Sequence, residues 1–254
     1  MTIPILACPV LNRGDLLSRM LRSIDYPIGK IVIVNNGDDV GVASTIEQFQ
    51  MLDELPIEIH KPAHNLGCGP SWNFVIRNNP DAGYWLFIGN DIELAPGDLA
   101  KIDGFVRAHP DYATMPANWG HSLFAVTQAG LEGVGYFDEN YWPAYSEDQD
   151  WMYRLKLAGL PWADVPDVRA IHGEPPLWGS TTVWSDSVLT QRCRITQRNN
   201  LEFYSRKWGG PPGKEIFTHP FNDESLSLKD WSIDPELAEA NGNPNYNPSL
   251  TCKG

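Results

Sequence analysis

From Ile3 onward, short apolar runs alternate with amphipathic stretches. Residues 3–8 predict a strand, and 15–24 predict a helix whose Leu16, Leu17, Met20, Leu21 and Ile24 share one face. A second strand is predicted over 30–34, a helix over 42–52 carrying Ile46, Phe49 and Leu52, a short strand over 57–59 and a third helix over 70–78. Tyr84 to Ile88 is continuous and apolar, as a strand covered on both faces must be. Pro96-Gly97-Asp98-Leu99 then opens another helix with proline in its first turn. Strand and helix in alternation predict a parallel sheet with right-handed crossovers.

The middle of the chain is less regular. It predicts strands at 112–115, 123–127 and 162–165, a helix over 147–158, and a short apolar strand from Val168 to Ile171 that ends at His172. Residues 187–208 read as a long helix stopped by Gly209-Gly210-Pro211-Pro212. Residues 211–254, rich in Pro, Asn, Ser and Asp, predict an arm wrapped over the domain that frays after about residue 240.

Ligands of open parallel sheets bind beyond the carboxyl ends of the strands. The residues there are polar in every case. Asn12 and Arg13 follow the first strand, and Asn35, Asn36, Gly37, Asp38 and Asp39 follow the second. His64 and Asn65 follow the third, and Asn90, Asp91 and Glu93 the fourth.

Composition narrows the chemistry. The 254 residues hold one core with appendages, and 42% hydrophobic content argues against disorder. With 19 basic and 32 acidic residues the net charge is −13, a field that repels phosphate backbones, so nucleic acid is not an expected partner. No apolar run reaches the roughly 18–20 residues of a membrane span. Met1 leads directly into an apolar run without a charged leader, so a soluble cytoplasmic protein is expected. Cys8, Cys68, Cys193 and Cys252 are scattered and read as free thiols.

Phosphate-loop, His-Glu-x-x-His and Gly-x-Ser-x-Gly spacings are missing, and the Gly130, Gly133 and Gly135 cluster has the wrong spacing for a dinucleotide turn. An acidic constellation remains. Asp91 directly follows a buried strand, where it either holds a cation or caps a turn. Ser146-Glu147-Asp148-Gln149-Asp150 puts three acids at a helix start, which a capping box (Ser146 with Gln149) and the helix dipole would by themselves explain. His172 stands alone in sequence and reads first as a structural histidine, with a functional role as the lesser reading. Arg192, Arg194, Arg198, Arg206 and Lys207 form a basic run that a solvated helix face accounts for.

In this order, these segments resemble family 2 of the inverting nucleotide-sugar glycosyltransferases. Pro9-Val10-Leu11-Asn12-Arg13 resembles the family's first-strand motif, and Ile31 to Gly37 its second-strand turn. Asn65-Leu66-Gly67 through Trp72-Asn73 resembles its Asn-x-Gly loop and helix. Phe87 to Ile92 falls where the family carries Asp-x-Asp, with Gly89 in the first position, so metal contact rests on Asp91 with Asn90 as a polar helper. Gly135 to Glu139 and Glu147 to Trp151 resemble the acceptor-side segment. His172 falls at a late metal-binding histidine, and Lys207-Trp208-Gly209 at a frequent ending of the catalytic domain.

The resemblance spans about 3–209 and implies an α/β fold of GT-A type: a Rossmann-like, mostly parallel central sheet flanked by helices, with a smaller acceptor-side subregion and an extended C-terminal arm. Residues 1–209 would form the catalytic domain (1–95 nucleotide-binding, 96–209 acceptor-binding) and 210–254 the arm. It implies Asp148 as general base, Asp91 and His172 as metal ligands, and Pro9, Asn12, Arg13, Asn36, Asp38, Asn65, Gly67 and Asn90 as donor-binding residues. Trp142, Glu147 and Trp151 become acceptor-side candidates, with core packing as the other reading of the two tryptophans. A divalent cation is implied, and one carboxylate plus imidazole suits Mn²⁺ better than Mg²⁺. The expected reaction moves a hexosyl or deoxyhexosyl unit from a nucleotide-diphosphate sugar to a glycan hydroxyl. Alternatives are a sugar-phosphate nucleotidyltransferase and a non-catalytic nucleotide- or glycan-binding relative.

Overall fold

The computed structural model describes residues 1–52, 55–118 and 120–246. The predicted runs become β1 (Ile3–Val10), α1 (Gly14–Arg22), β2 (Ile28–Asn35), α2 (Val40–Leu52), β3 (Ile57–His60), α3 (Cys68–Asn78) and β4 (Tyr84–Ile88). A two-residue β5 (Ile92–Glu93), α4 (Asp98–Ala108), β6 (Thr114–Pro116), β7 (Leu123–Thr127), α5 (Gln128–Val134) and α6 (Glu147–Leu157) follow. The chain continues through β8 (Ile171–Glu174), β9 (Leu177–Trp178), α7 (Thr181–Trp184), α8 (Ser187–Trp208) and α9 (Pro235–Asn241).

Six strands form the central sheet in the order β3-β2-β1-β4-β7-β6. β1 pairs in parallel with β2 and β4, and β2 with β3, whereas β7 runs antiparallel to both β4 and β6. Alternation along the central strands divides their side chains between two cores. Leu6, Cys8, Leu86 and Ile88 join the cluster holding Leu17, Met20, Leu99 and Ile102. Ala7, Trp85 and Phe87 join Trp72, Phe124, Phe137 and Trp151 on the other face. A third cluster of Tyr141, Tyr153, Phe203, Tyr204, Trp208 and Leu237 ties α6, α8 and α9 together.

Some expectations need correction. Residues 162–165 form no strand: Val165 N–H donates to Pro116 (2.8 Å) and Ala113 N–H to Pro161 (2.8 Å), but prolines at 161 and 166 limit ladder donors. His172 lies inside β8 rather than after a strand. Ser146 makes no capping bond with its side chain; it has φ 77°, and the backbone N–H of Gln149 is taken instead by Asp148 Oδ1 at 2.8 Å. The arm is tied down as far as Asn241, which is buried and donates to Trp142 O (3.0 Å) and Asn200 Oδ1 (2.8 Å), while the expected fraying beyond it falls mostly on residues outside those described. Cys252 and residues 247–254 lie outside the described residues, while Cys8, Cys68 and Cys193 are free thiols. No described helix is long and apolar enough to cross a membrane.

Candidate active site

The carboxyl ends of β1, β2 and β4 open on a cavity of about 210 Å³. Pro9, Asn36, Asn65, Gly67, Asn90 and Asp91 line it. Asn36 is held at both ends of its amide, donating to Ser71 Oγ (2.9 Å) and accepting from Leu66 N–H (2.9 Å). Gly67, at φ +86°, sits where a β-carbon would lie 2.6 Å from Pro143 O, so only glycine lets this loop close against the Trp142–Pro143 segment. Trp142 Nε1 and Asn245 Nδ2 both donate to Asn65 O, at 3.0 and 2.8 Å.

Other candidate donor residues stand at the margin. Asn12 donates to Thr182 O (3.4 Å), and its buried Oδ1 has no hydrogen-bond partner. Arg13 pairs with Asp15 (2.7 Å) and Glu174 (2.6 Å). Asp38 is fully exposed and pairs with Lys61 at 2.8 Å.

Asp91 and His172 meet because of strand register. β5 pairs antiparallel with β8 so that His172 faces Ile92, the residue after Asp91. His172 Nε2 consequently lies 3.3 Å from Asp91 Oδ1, with both side chains more than nine-tenths buried. Gly89 leaves the room this needs: a β-carbon there would sit 3.0 Å from Asp91 Oδ1. Thr182 Oγ1 caps Asp91 Oδ2 (3.4 Å) and Asn90 Oδ1 (3.2 Å). Two donors bound side by side to one cation, each about 2.1 Å from it, sit about 3 Å apart. The observed pair fits that spacing. No group of three His, Cys, Asp or Glu that could hold a metal occurs among the described residues, so remaining coordination would fall to substrate oxygens and water.

The three acids that open α6 have separate environments. Asp150 is fully buried and accepts from Lys207 Nζ (2.6 Å), Trp208 Nε1 (2.8 Å) and Arg154 Nε (2.8 Å). Burial raises its carboxyl, and the Lys207 and Arg154 charges overcome this and hold it below the usual range. Glu147 is buried with Oε2 unpaired, and desolvation with the adjacent Asp148 charge pushes its carboxyl well above the usual range. Asp148 is 37% exposed, the most open of the three. Tyr145 and Ser146, just before them, both take positive φ (76° and 77°), a strain that surrounding packing must hold. Trp151 is fully buried, stacked on Phe137 at 4.8 Å with its indole N–H on Gly135 O, so it offers no face to an acceptor. Trp142 is likewise buried, supporting the Asn65 loop. In the basic run Lys207 is buried, Arg206 pairs with Asp234 (2.9 Å), and Arg192, Arg194 and Arg198 are exposed.

The chain is 47% identical to a galactofuranosyl glycosyltransferase of Leishmania donovani, across 92% of this chain and 74% of that protein. This chain belongs to the glycosyltransferases. No protein-family model matches it. In fold it is similar to the mannosyltransferase PcManGT of Pyrobaculum calidifontis, solved with GDP-Man and Mn²⁺ (TM-score 0.61, 16% identity, 83% of this chain and 66% of that one). It is also similar to residues 1–349 of S. aureus TarS (TM-score 0.54, 14% identity, 81% and 73%). GalNAc-T7 with UDP, GalNAc and Mn²⁺ has a TM-score of 0.59 at 10% identity, over 94% of this chain and 54% of that one. The fold is therefore that of the GT-A glycosyltransferases, built on a mostly parallel six-stranded sheet flanked by helices.

The candidate site contains residues that strand-end reasoning missed. His121 lines the cavity, and its Nδ1 lies 3.9 Å from Asp148 Oδ2. Because β7 runs antiparallel, it is the start of this strand, not its end, that reaches the ligand edge. A search of strand N-termini would have found it. Thr182 and Arg19 were missed as well; Arg19 Nη2 donates to Gly173 O (2.9 Å) and Asp91 O (3.4 Å), tying β5 to β8.

Proposed function

We propose that the protein is a metal-dependent inverting transferase of the family 2 type, moving one sugar from a nucleotide diphosphate to an acceptor hydroxyl, with Asp148 as base. One observation carries the reading most directly. A single cavity is lined by Asp91, His172 and His121, and His121 reaches within 3.9 Å of Asp148. Charge-neutralising groups therefore line one space, and the part-exposed Asp148 carboxylate, itself outside the lining, stands next to His121 on its wall.

In this reading the Asn36 and Asn65–Gly67 turns hold the nucleotide, and Asp91 and His172 would hold a divalent cation, which would supply charge neutralisation for the diphosphate leaving group. Asp148 takes the proton as the acceptor oxygen bonds to the anomeric carbon, while the bond from that carbon to the phosphate oxygen breaks and its electron pair leaves with the diphosphate. Single displacement inverts the anomeric centre. Arg13 weighs against the nucleotidyltransferase alternative, since Asp15 and Glu174 already occupy the guanidinium that would grip a triphosphate. The named activity of the Leishmania donovani relative makes galactofuranose the first sugar to test.

Calorimetry with UDP, GDP and dTDP, with Mn²⁺ and with chelator, tests the donor site. The reading expects metal-dependent binding of one nucleotide. Binding of none, with or without metal, overturns it.

A further inference from the structure

Beyond the transfer chemistry, on which it rests, we infer that His121 is the positioning residue for Asp148, its Nδ1–H directing the carboxylate's Oδ2 toward the incoming acceptor hydroxyl.

His121 sits in a short turn, Gly120–Ser122, whose place is fixed by backbone bonds: Gly89 N–H donates to Ser122 O (2.8 Å) and Ala117 N–H to Leu123 O (2.8 Å). The turn is thereby fastened to the end of β4, two residues before Asp91. The imidazole packs on Phe124, with ring centroids 4.6 Å apart, and its side chain is 9% exposed. Asp148 has its Oδ1 engaged by the Gln149 backbone N–H, which leaves Oδ2 as the oxygen facing His121. One carboxylate oxygen is thus anchored to its own helix and the other stands at a near-contact of 3.9 Å from this ring. Hydrogen bonds at catalytic groups are often long before substrate binds and tighten in the complex.

The tautomer follows from what surrounds the ring. His121 Nε2 is buried without a hydrogen-bond partner. A ring nitrogen left unpaired costs least as a bare lone pair, so the proton belongs on Nδ1, where a carboxylate faces it. The charges acting on the ring are Asp148 from α6 and Asp164 from the segment between α6 and β8; burial outweighs both and moves the imidazole below its ordinary value. A neutral Nδ1–H donor orients the base without neutralising it, whereas an imidazolium would form a tight ion pair and weaken its basicity.

The test uses the full chain, labelled with ¹⁵N in its histidine rings, and the variants His121→Phe, which keeps a ring against Phe124, and His121→Gln, which keeps an N–H donor. At pH 7.5 the His121 signals, identified by their loss in both variants, are expected to show a protonated Nδ1 and a bare Nε2. In Asp148→Asn the tautomer balance is expected to move toward Nε2–H. A protonated Nε2 in the native protein, or no response to Asp148→Asn, overturns the inference.

With UDP-galactofuranose as donor probe and methyl β-galactofuranoside as acceptor probe, His121→Phe is expected to lower kcat by about tenfold to a hundredfold with donor KM unchanged. It should also move the acid limb of the kcat profile to higher pH, and His121→Gln should restore both. A donor KM effect with kcat intact, or a Gln variant no better than Phe, would mean that His121 does something else. The two failures separate: a wild type inactive on every nucleotide sugar, with the Nδ1–H tautomer present, counts against transfer. An active wild type whose Phe variant keeps its kcat counts against His121 alone.

Discussion

Asp91 Oδ1 and His172 Nε2 stand 3.3 Å apart, brought together by the antiparallel pairing of two very short strands. Neither residue's surroundings supply a third metal-binding side chain among the described residues. As the proposed metal ligands, two protein donors would give a weak site that substrate oxygens would complete, so metal and nucleotide are expected to bind cooperatively. His172→Ala should weaken Mn²⁺-dependent nucleotide binding by at least tenfold and leave metal-free nucleotide binding unchanged, as calorimetry would show. Equal Mn²⁺ enhancement in the variant would remove His172 from the metal site.

Lys207 is sealed between Asp138 (2.8 Å) and Asp150 (2.6 Å) and is 2% exposed. Removing its charge leaves the buried Asp138 carboxylate without its lysine and Asp150 with Arg154 as its remaining cation, the costly way to break an ion pair. Lys207→Met is expected to destabilise the fold by about 3–5 kcal/mol, read from urea unfolding. The effect should be much smaller in an Asp138→Asn, Asp150→Asn background, because no buried carboxylate then depends on Lys207.

Glu147 gives stability a pH dependence of known sign. Its carboxyl ionises well above the ordinary range when folded, through burial and the charge of Asp148. Between the unfolded and folded ionisations, folding takes up a proton, which costs about 1.4 kcal/mol per pH unit. This contribution is fully present below the unfolded value and is lost as pH rises toward the folded one. Glu147→Gln cannot ionise. Its stability relative to wild type is therefore expected to increase from pH 4 to pH 8 in denaturant titrations, and a difference independent of pH would contradict the assignment.

The parallel half of the sheet was legible because each strand there is a short apolar run closed by polar residues, and its ends point one way. Asp91, Asn36, Asn65 and Gly67 all line the cavity for that reason. His121 escaped the same rule because β7 is reversed, and strand direction is not written in hydropathy. The Asp91–His172 contact was reached through family resemblance and not from spacing, since a two-residue strand such as β5 leaves no periodic signal. Trp151 shows the opposite limit. Beside an acidic run, an aromatic side chain suits a sugar face and a core equally well, and the helical turn that buries it against Phe137 follows from tertiary packing. The acids themselves look alike in sequence, yet Asp150 pairs with Lys207, Glu147 is buried without charge and Asp148 is half open.

In the proposed reaction Asp148 removes the acceptor's proton during sugar transfer. The most direct measurement is the transfer rate of Asp148→Asn with the donor that the nucleotide panel identifies, alongside its nucleotide affinity. A loss of about 10²–10⁴ in rate, with affinity within twofold of wild type, is expected. A near-wild-type rate would contradict it.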